Sequence, residues 1–508
     1  MTTLNLLRAG VAALLAAGAA PLGLCEVRLP GILSSHMVVQ RDLPLHFWGW
    51  AAPDEKVAVA FHGVTRETTA DRLGSWNVWL PPESAGGPYK LTVTGTNTIA
   101  LEDILVGDVW FASGQSNMEI QLKGWSGAPI NRSAEEIAGA DQPNIRLLLM
   151  KQKTSEYPLR DNDSSWTVCT PATAANFSAV AYLFGHELAT RERVPIGLID
   201  STWGGTVAEA WFSLDAIGAD ASLMPAFATR ARIMGEQADV PAILAAERRE
   251  DAEAKQAGRA PAEHMWRPNP ASWAPAALFN GMIAPATPFT IKGVIWYQGE
   301  SNSKLAFAPL YVRLLPALIA DWRMQWHEGN FPFLFVQIAN FKSNATEAYQ
   351  IVREAQRRTL SVANTAMAVT IDIGNPDNVH PADKQTVAAR LALAARALAY
   401  GEHVEYSGPL FRQAAPDERG IRVWFDHVAD GLEAKGGDLR GFEIAGEDRA
   451  FVGAAASIDG AAVLVASPRV AAPKYVRYGW ANAPEVNLYN SAGLPASPFT
   501  SEDAIPAP

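Results

Sequence analysis

Short apolar runs separated by turn-forming residues dominate the first part of the chain. Residues 57–61, Val-Ala-Val-Ala-Phe, are followed by His62-Gly63, and residues 76–80 by Pro81-Pro82. Runs of this length, broken by such signals, predict strands, so residues 26–105 are expected to form an N-terminal β domain. From residue 106 the pattern changes. Strand-like runs at 109–112, 194–199, 293–297, 333–338 and 366–371 alternate with helical stretches, which is the pattern of a parallel α/β sheet. Ligands bind such sheets at the carboxyl ends of the strands, and Ser116, Gly205 and Gln298 each lie just beyond one. Residues 214–277, rich in Ala, Glu, Arg and Lys, read as a helical excursion within a unit spanning 106–402. Val387, Leu391, Ala394 and Leu398 stand at helical spacing and predict a helix over 382–400, ended by Gly401. Short β-like runs return at 421–425 and 462–466, so residues 403–508 are expected to form a C-terminal β domain.

Bulk properties narrow the classes. A chain of 508 residues exceeds one ordinary core, and about 150 residues per domain predicts roughly three units. The net charge of -11 disfavours affinity for phosphate backbones, so no nucleic-acid partner is expected. Residues 1–25 combine Arg8, an apolar stretch over 11–20 and small residues beyond it. That is the form of a secretory signal peptide, implying a secreted or periplasmic protein that begins near Glu26. The apolar stretch is shorter than the ~20 residues of a spanning helix, and no later run is long enough, so no membrane span is expected. Leu24 is bulkier than the small residue a lipoprotein signal needs before Cys25. Loss of Cys25 with the signal leaves Cys169 alone, without an intrachain disulfide. His-Glu-x-x-His and paired-cysteine motifs are absent, so neither a metal nor another cofactor is expected.

Three segments carry candidate chemistry: Gly-Gln-Ser-Asn-Met at 114–118, Trp-Tyr-Gln-Gly-Glu-Ser-Asn at 296–302, and Asp-Asn-Val-His-Pro at 377–381. Acyl transfer needs a nucleophile, a base to take its proton, and dipoles aimed at the developing oxyanion. A serine after a strand is by itself an ordinary turn or cap residue, and His380 is one of nine histidines. Their company gives them weight. The order Ser, Gln, His differs from the α/β-hydrolase layout, because Met118 stands where the second glycine of Gly-x-Ser-x-Gly would be, and Asp377 lies only three residues before His380.

The compact Asp-x-x-His pair resembles the SGNH (GDSL-like) hydrolases, and the three segments resemble the sialate O-acetylesterase family within that superfamily. Further ordered matches are Val39-Gln40-Arg41 with Trp48-Gly49-Trp50, Trp203-Gly204-Gly205-Thr206 with Glu209-Ala210-Trp211, and Leu278-Phe279-Asn280 before Met282-Ile283-Ala284-Pro285. Tyr478-Gly479-Trp480-Ala481-Asn482 completes the set, so the likeness runs over nearly the whole chain after residue 25.

The resemblance implies an SGNH-type parallel sheet flanked by helices, with N- and C-terminal β domains. It also implies a serine esterase that removes O-acetyl groups from sugars. Ser116 is then the nucleophile and His380 the base. Asp377 is the expected orienting carboxylate, with Asp372 or a backbone carbonyl as alternatives; family members often carry Asp where this chain has Asn378. The oxyanion hole is expected from the amides of Ser116 and Gly205 and the side chain of Gln298, with Gly204 as the alternative glycine. Asn117, Glu300 and Asn302 are expected either to brace the loops or to contact substrate. The substrate is an acetylated carbohydrate, first of all a sialic acid, with acetylated xylan, xyloglucan or pectin as alternatives. A noncatalytic carbohydrate-binding protein is the competing class, opposed by the intact Ser116, Gln298 and His380. The 16 tryptophans suit stacking on sugar rings, though most are expected in the core.

Overall fold

The computed structural model describes residues 26–505 except positions 263, 265, 266 and 268. The expected signal peptide lies outside the described residues. The fold is mixed α/β, with a central sheet and several smaller β-sheets. The central strands are β1 (Thr98–Gly114), β2 (Gln142–Leu149), β3 (Trp166–Cys169), β4 (Ile196–Thr202), β5 (Gly293–Tyr297), β6 (Phe333–Val336) and β7 (Thr365–Ala368). They lie in the order β7-β6-β5-β1-β4-β2-β3. All neighbours are parallel except the edge pair β2 and β3. Every residue of β4, β5 and β6 is buried, as parallel strands covered on both faces must be, which is why the sequence shows apolar runs there and not alternation.

Two expected strands are trimmed for local reasons. β4 starts at Ile196 because Pro195 has no N–H for the ladder; its carbonyl instead accepts from the Asp108 amide at 2.9 Å. β6 ends at Val336 because the Ile338 amide donates to Gln356 Oε1 at 3.0 Å. β1 continues without a break from the N-terminal sheet into the central one. Its first half pairs antiparallel with Gly86–Thr94 and parallel with Val38–Gln40, and its second half lies between β4 and β5. Residues 105 and 106, where the composition changes, are therefore consecutive in one strand.

Six helices matter for the site: α1 (Ser116–Glu119), α2 (Ala179–Glu192), α3 (Met224–Glu236), α4 (Tyr311–Trp326), α5 (Tyr349–Thr359) and α6 (Lys384–Leu398). α6 packs on α2, burying Val387, Leu391 and Ala394 as their spacing requires. Asp383 starts the helix by accepting from the Thr386 amide at 3.0 Å. The stretch after Trp211 forms Leu214–Ala219, α3 and Val240–Gln256.

Beyond residue 402 the strands form small antiparallel sheets around a second core that includes Val423, Ile444, Val463, Val476 and Phe499. Arg353 of α5 joins this region to the central unit. It is fully buried, and its guanidinium donates to the carbonyls of Ala339, Ala481 and Asn482. Burial without an acidic partner pushes its pKa down to about 9.

Candidate active site

The chain leaves β1 through Gly114, whose φ of +135° is one that L side chains rarely adopt. A Cβ there would lie 2.2 Å from the Tyr297 carbonyl. The next turn is α1, so Ser116 stands at the carboxyl edge of the sheet with two neighbours buried beneath it, Asn117 and Met118. Trp203 to Thr206 follow β4, and Gln298 to Asn302 follow β5. All three loops therefore meet at one edge, and His380 arrives from the loop before α6.

A cavity of about 770 Å³ opens here, bordered by Ser116, Trp203, Gly205, Trp273, Tyr349 and His380. Within it, His380 Nε2 lies 2.9 Å from Ser116 Oγ. The Trp125 ring stands edge-on to the imidazole at 6.2 Å. Burial, helped by the positive Lys384, pushes the His380 pKa down to about 4. The ring is thus neutral, with Nε2 free to accept the serine proton.

The orienting carboxylate is not where the spacing suggests. Residues 375–378 form a tight turn closed by the Asn378 amide and the Asn375 carbonyl at 3.1 Å. Asp377 sits at the tip of that turn. Its side chain is 81% exposed and pairs with Lys342 at 3.4 Å, with no hydrogen bond to His380 among the described residues. Asp372 is equally committed elsewhere, gripping Arg390 through both oxygens at 2.7 Å. The His380 backbone is held by Asn378, whose Oδ1 accepts from the His380 amide at 2.9 Å. Among the described residues the Ser116 and His380 side chains pair with each other, and neither Asp377 nor Asp372 joins them.

Gln298 also departs from its expected role. It is fully buried; its Nε2 donates to Asn302 Oδ1 at 2.7 Å and to the Thr206 carbonyl at 3.3 Å, and its Oε1 accepts from the Tyr311 hydroxyl at 2.8 Å. Both amide protons are spent on the loop, so Gln298 does not serve as an oxyanion donor in this arrangement. Among the described residues the backbone amides of Ser116 and Gly205 carry no hydrogen bond, whereas the Gly204 amide donates to Glu119. This distinguishes Gly205 from Gly204 as the available donor.

Asn117 and Asn302 are buried braces that do not border the cavity. Asn302 donates to Glu209 at 2.8 Å and accepts from the Ala208 amide at 3.0 Å. Asn117 donates to Glu300 at 2.6 Å and to the Val379 carbonyl at 3.0 Å, tying the nucleophile loop to the histidine loop. Glu300 does border the cavity, and burial raises its pKa.

Sequence reading missed four residues. Lys384 is fully buried, donates to Asn117 Oδ1 at 2.6 Å, and has its pKa pushed down by burial to about 7. Its place four residues after His380 was the available signal. Glu119 ends the helix that Ser116 begins. Arg230 of α3 and Trp273 border the cavity from the 214–277 stretch, where nothing in the sequence marked them. The later motifs are braces: Asn482 accepts from the Tyr349 amide at 2.8 Å and donates to the Glu347 carbonyl at 3.0 Å, fixing one cavity wall. Arg41 pairs with buried Asp108 at 2.9 Å.

Comparison with known proteins fits this geometry. The family described as carbohydrate esterase, sialic acid-specific acetylesterase, matches residues 264–399. The chain is 33% identical over 426 residues to a sialate O-acetylesterase of Mus musculus, covering 75% of each chain. It is 32% identical over 427 residues to that of Homo sapiens, covering 75% of this chain and 73% of the other. Among solved structures, a carbohydrate acetylesterase from Xanthomonas citri superposes with a TM-score of 0.80 at 38% identity, covering 94% of this chain and 100% of that one.

Proposed function

The chain belongs to the sialate O-acetylesterase family of carbohydrate esterases, and from that premise we propose that it deacetylates O-acetylated sialic acid through an acetyl-Ser116 intermediate. The 2.9 Å contact between His380 Nε2 and Ser116 Oγ carries the reading. Neutral His380 takes the Oγ proton as the serine attacks the acetyl carbonyl. The free amides of Ser116 and Gly205 receive the negative oxygen of the tetrahedral intermediate. Protonated His380 then gives its proton to the departing sugar oxygen, and water, deprotonated by the same ring, releases acetate.

Arg230 supports an acidic sugar as substrate. It is buried at the cavity, its Nε pairs with Glu209 at 3.0 Å, and among the described residues its Nη2 has no hydrogen-bond partner. Unmet donor capacity on a buried guanidinium suits a sugar carboxylate. The guanidinium lies over the rings of Trp273 and Phe307, and Trp203 borders the same cavity. The catalytic unit of this reading is the SGNH-type segment 106–402, which supplies every cavity residue named, with β domains on either side. Export follows from the signal-like residues 1–25; among the described residues no helix is long and apolar enough to cross a membrane.

Acetate release from acetylated sialic acid, xylan and xyloglucan, compared by kcat/KM, tests the substrate. Preference for sialic acid is expected, and preference for a neutral hemicellulose rejects the sialate reading while keeping the esterase. Arg230→Gln is expected to raise KM for acetylated sialic acid roughly 10- to 100-fold, as loss of a charge-assisted hydrogen bond does, with aryl acetate hydrolysis within a few-fold of wild type. A fluorophosphonate adduct at Ser116 is expected; absence of both adduct and acetate release would leave a noncatalytic binder.

A further inference from the structure

The turn that follows β4 is held from two sides. The Gly204 amide donates to Glu119 Oε2, and the Gly205 carbonyl accepts from Trp273 Nε1 at 2.8 Å. These contacts fix the two peptide planes on either side of the plane that carries the Gly205 N–H. That intervening N–H has no partner among the described residues. The turn presses against the nucleophile, since a Cβ on Gly204 would lie 3.3 Å from Ser116 Cβ. Gly205 itself has φ +71°, a left-handed conformation that glycine adopts without strain, so the aim of its N–H depends on what holds the neighbouring peptides.

The two holding groups come from different places. Glu119 is the fourth residue of α1, the helix that Ser116 opens, so nucleophile and turn are linked through one helical turn. Glu119 is itself braced, because its Oε1 accepts from Gln152 Nε2 at 2.8 Å. Trp273 comes from the end of the 214–277 stretch, and the Arg230 guanidinium lies 5.1 Å from its ring centre. Arg230 in turn pairs with Glu209 at 3.0 Å. Through this chain the helical excursion reaches the oxyanion site without touching the reacting atoms.

Resting on the esterase reading above, we propose that Glu119 and Trp273 are paired positioning residues that aim the Gly205 amide at the oxyanion formed on Ser116. Neither takes part in proton transfer. Donors fixed in advance cost no reorganisation as charge develops, so loosening either grip lowers kcat and leaves ground-state binding of the ester largely intact.

The test uses full-length Glu119→Ala, Glu119→Gln, Trp273→Phe and the Glu119→Ala/Trp273→Phe double variant, with an aryl acetate as substrate and an alkyl boronic acid as tetrahedral analogue. Removing an oxyanion donor outright costs about 10²- to 10³-fold. Each of Glu119→Ala and Trp273→Phe is expected to lower kcat roughly 10- to 100-fold with KM within about threefold, and to weaken boronate inhibition in step. Glu119→Gln keeps an acceptor oxygen and should recover most of the loss. Because both residues act through one amide, the double variant should lose less than the product of the single losses. Losses that multiply, losses confined to KM, or boronate affinity that stays unchanged while kcat falls each overturn the pairing. Should Glu119→Ala fail to fold, Trp273→Phe and Glu119→Gln still decide it. If the wild-type protein neither hydrolyses the ester nor binds the boronate, the esterase reading falls first.

Discussion

The serine loop and the histidine loop meet at one point but are built in opposite ways. The serine loop is an extension of the sheet: Gly114 leaves β1 beneath Tyr297, and Asn117 and Met118 are buried. The histidine loop is a surface excursion whose tip, Asp377, stands in solvent and, among the described residues, pairs only with Lys342. What makes the second loop reliable is its ends. Asn117 holds the Val379 carbonyl, Asn378 holds the His380 amide, and α6 begins at once with buried Lys384. The imidazole proposed as the base is thus placed by backbone anchors and burial, with no carboxylate on its ring among the described residues.

The largest effects should come from the point where the loops meet. Ser116→Ala and His380→Ala are each expected to lower aryl acetate hydrolysis by about 10⁴-fold or more with thermal unfolding little changed. Near-normal turnover in either would exclude Ser116 and His380 as the reacting pair.

Lys384→Met addresses the buried anchor of the histidine loop. Removing one partner of a buried polar network typically costs about 3–5 kcal/mol, so denaturant unfolding should show a clear loss. The pH profile provides a second reading. In the wild type, His380 titrates near 4, so kcat/KM should rise with pH through an acid limb near pH 4. Burial lowers that value most and Lys384 adds to it, so losing the lysine should move the limb up while burial still holds it below the ordinary imidazole range near 6.5. An unmoved limb would separate Lys384 from the base. The same shift bears on folding. A histidine with a depressed folded pKa contributes stability that is complete above about pH 6.5 and lost as pH falls toward 4.

Asn378→Ala removes one hydrogen bond to the His380 backbone, worth about 1 kcal/mol. A roughly fivefold fall in kcat is expected, with KM nearly unchanged. Asp377→Asn should do least, changing kcat/KM by less than about twofold, because exposed ion pairs contribute about 0–1 kcal/mol. A fall of 100-fold or more there would restore Asp377 as the orienting group.

Much of this arrangement was determined by local pattern. Apolar runs with turn signals identify the strands, spacing identifies α6, and the three polar segments beyond strand ends converge because a parallel sheet exposes those ends on one edge. The identities of Ser116, His380 and Gly205 as the groups that meet there were legible for that reason. Side-chain partners were decided only by the tertiary structure. Gln298 and Asn302 spend their amides on each other, on Thr206 and on Glu209, because burial makes an unpaired polar group costly and these partners lie nearest. Asp377 turns outward because a four-residue turn puts it at the tip, although it stands only three residues before His380 in the chain. Glu119, Lys384, Arg230 and Trp273 acquire their places from groups that the fold brings together from segments as far as 267 residues apart. Spacing along one strand or helix fixes which way a residue faces, but the hydrogen bond it makes depends on what the rest of the fold sets opposite it.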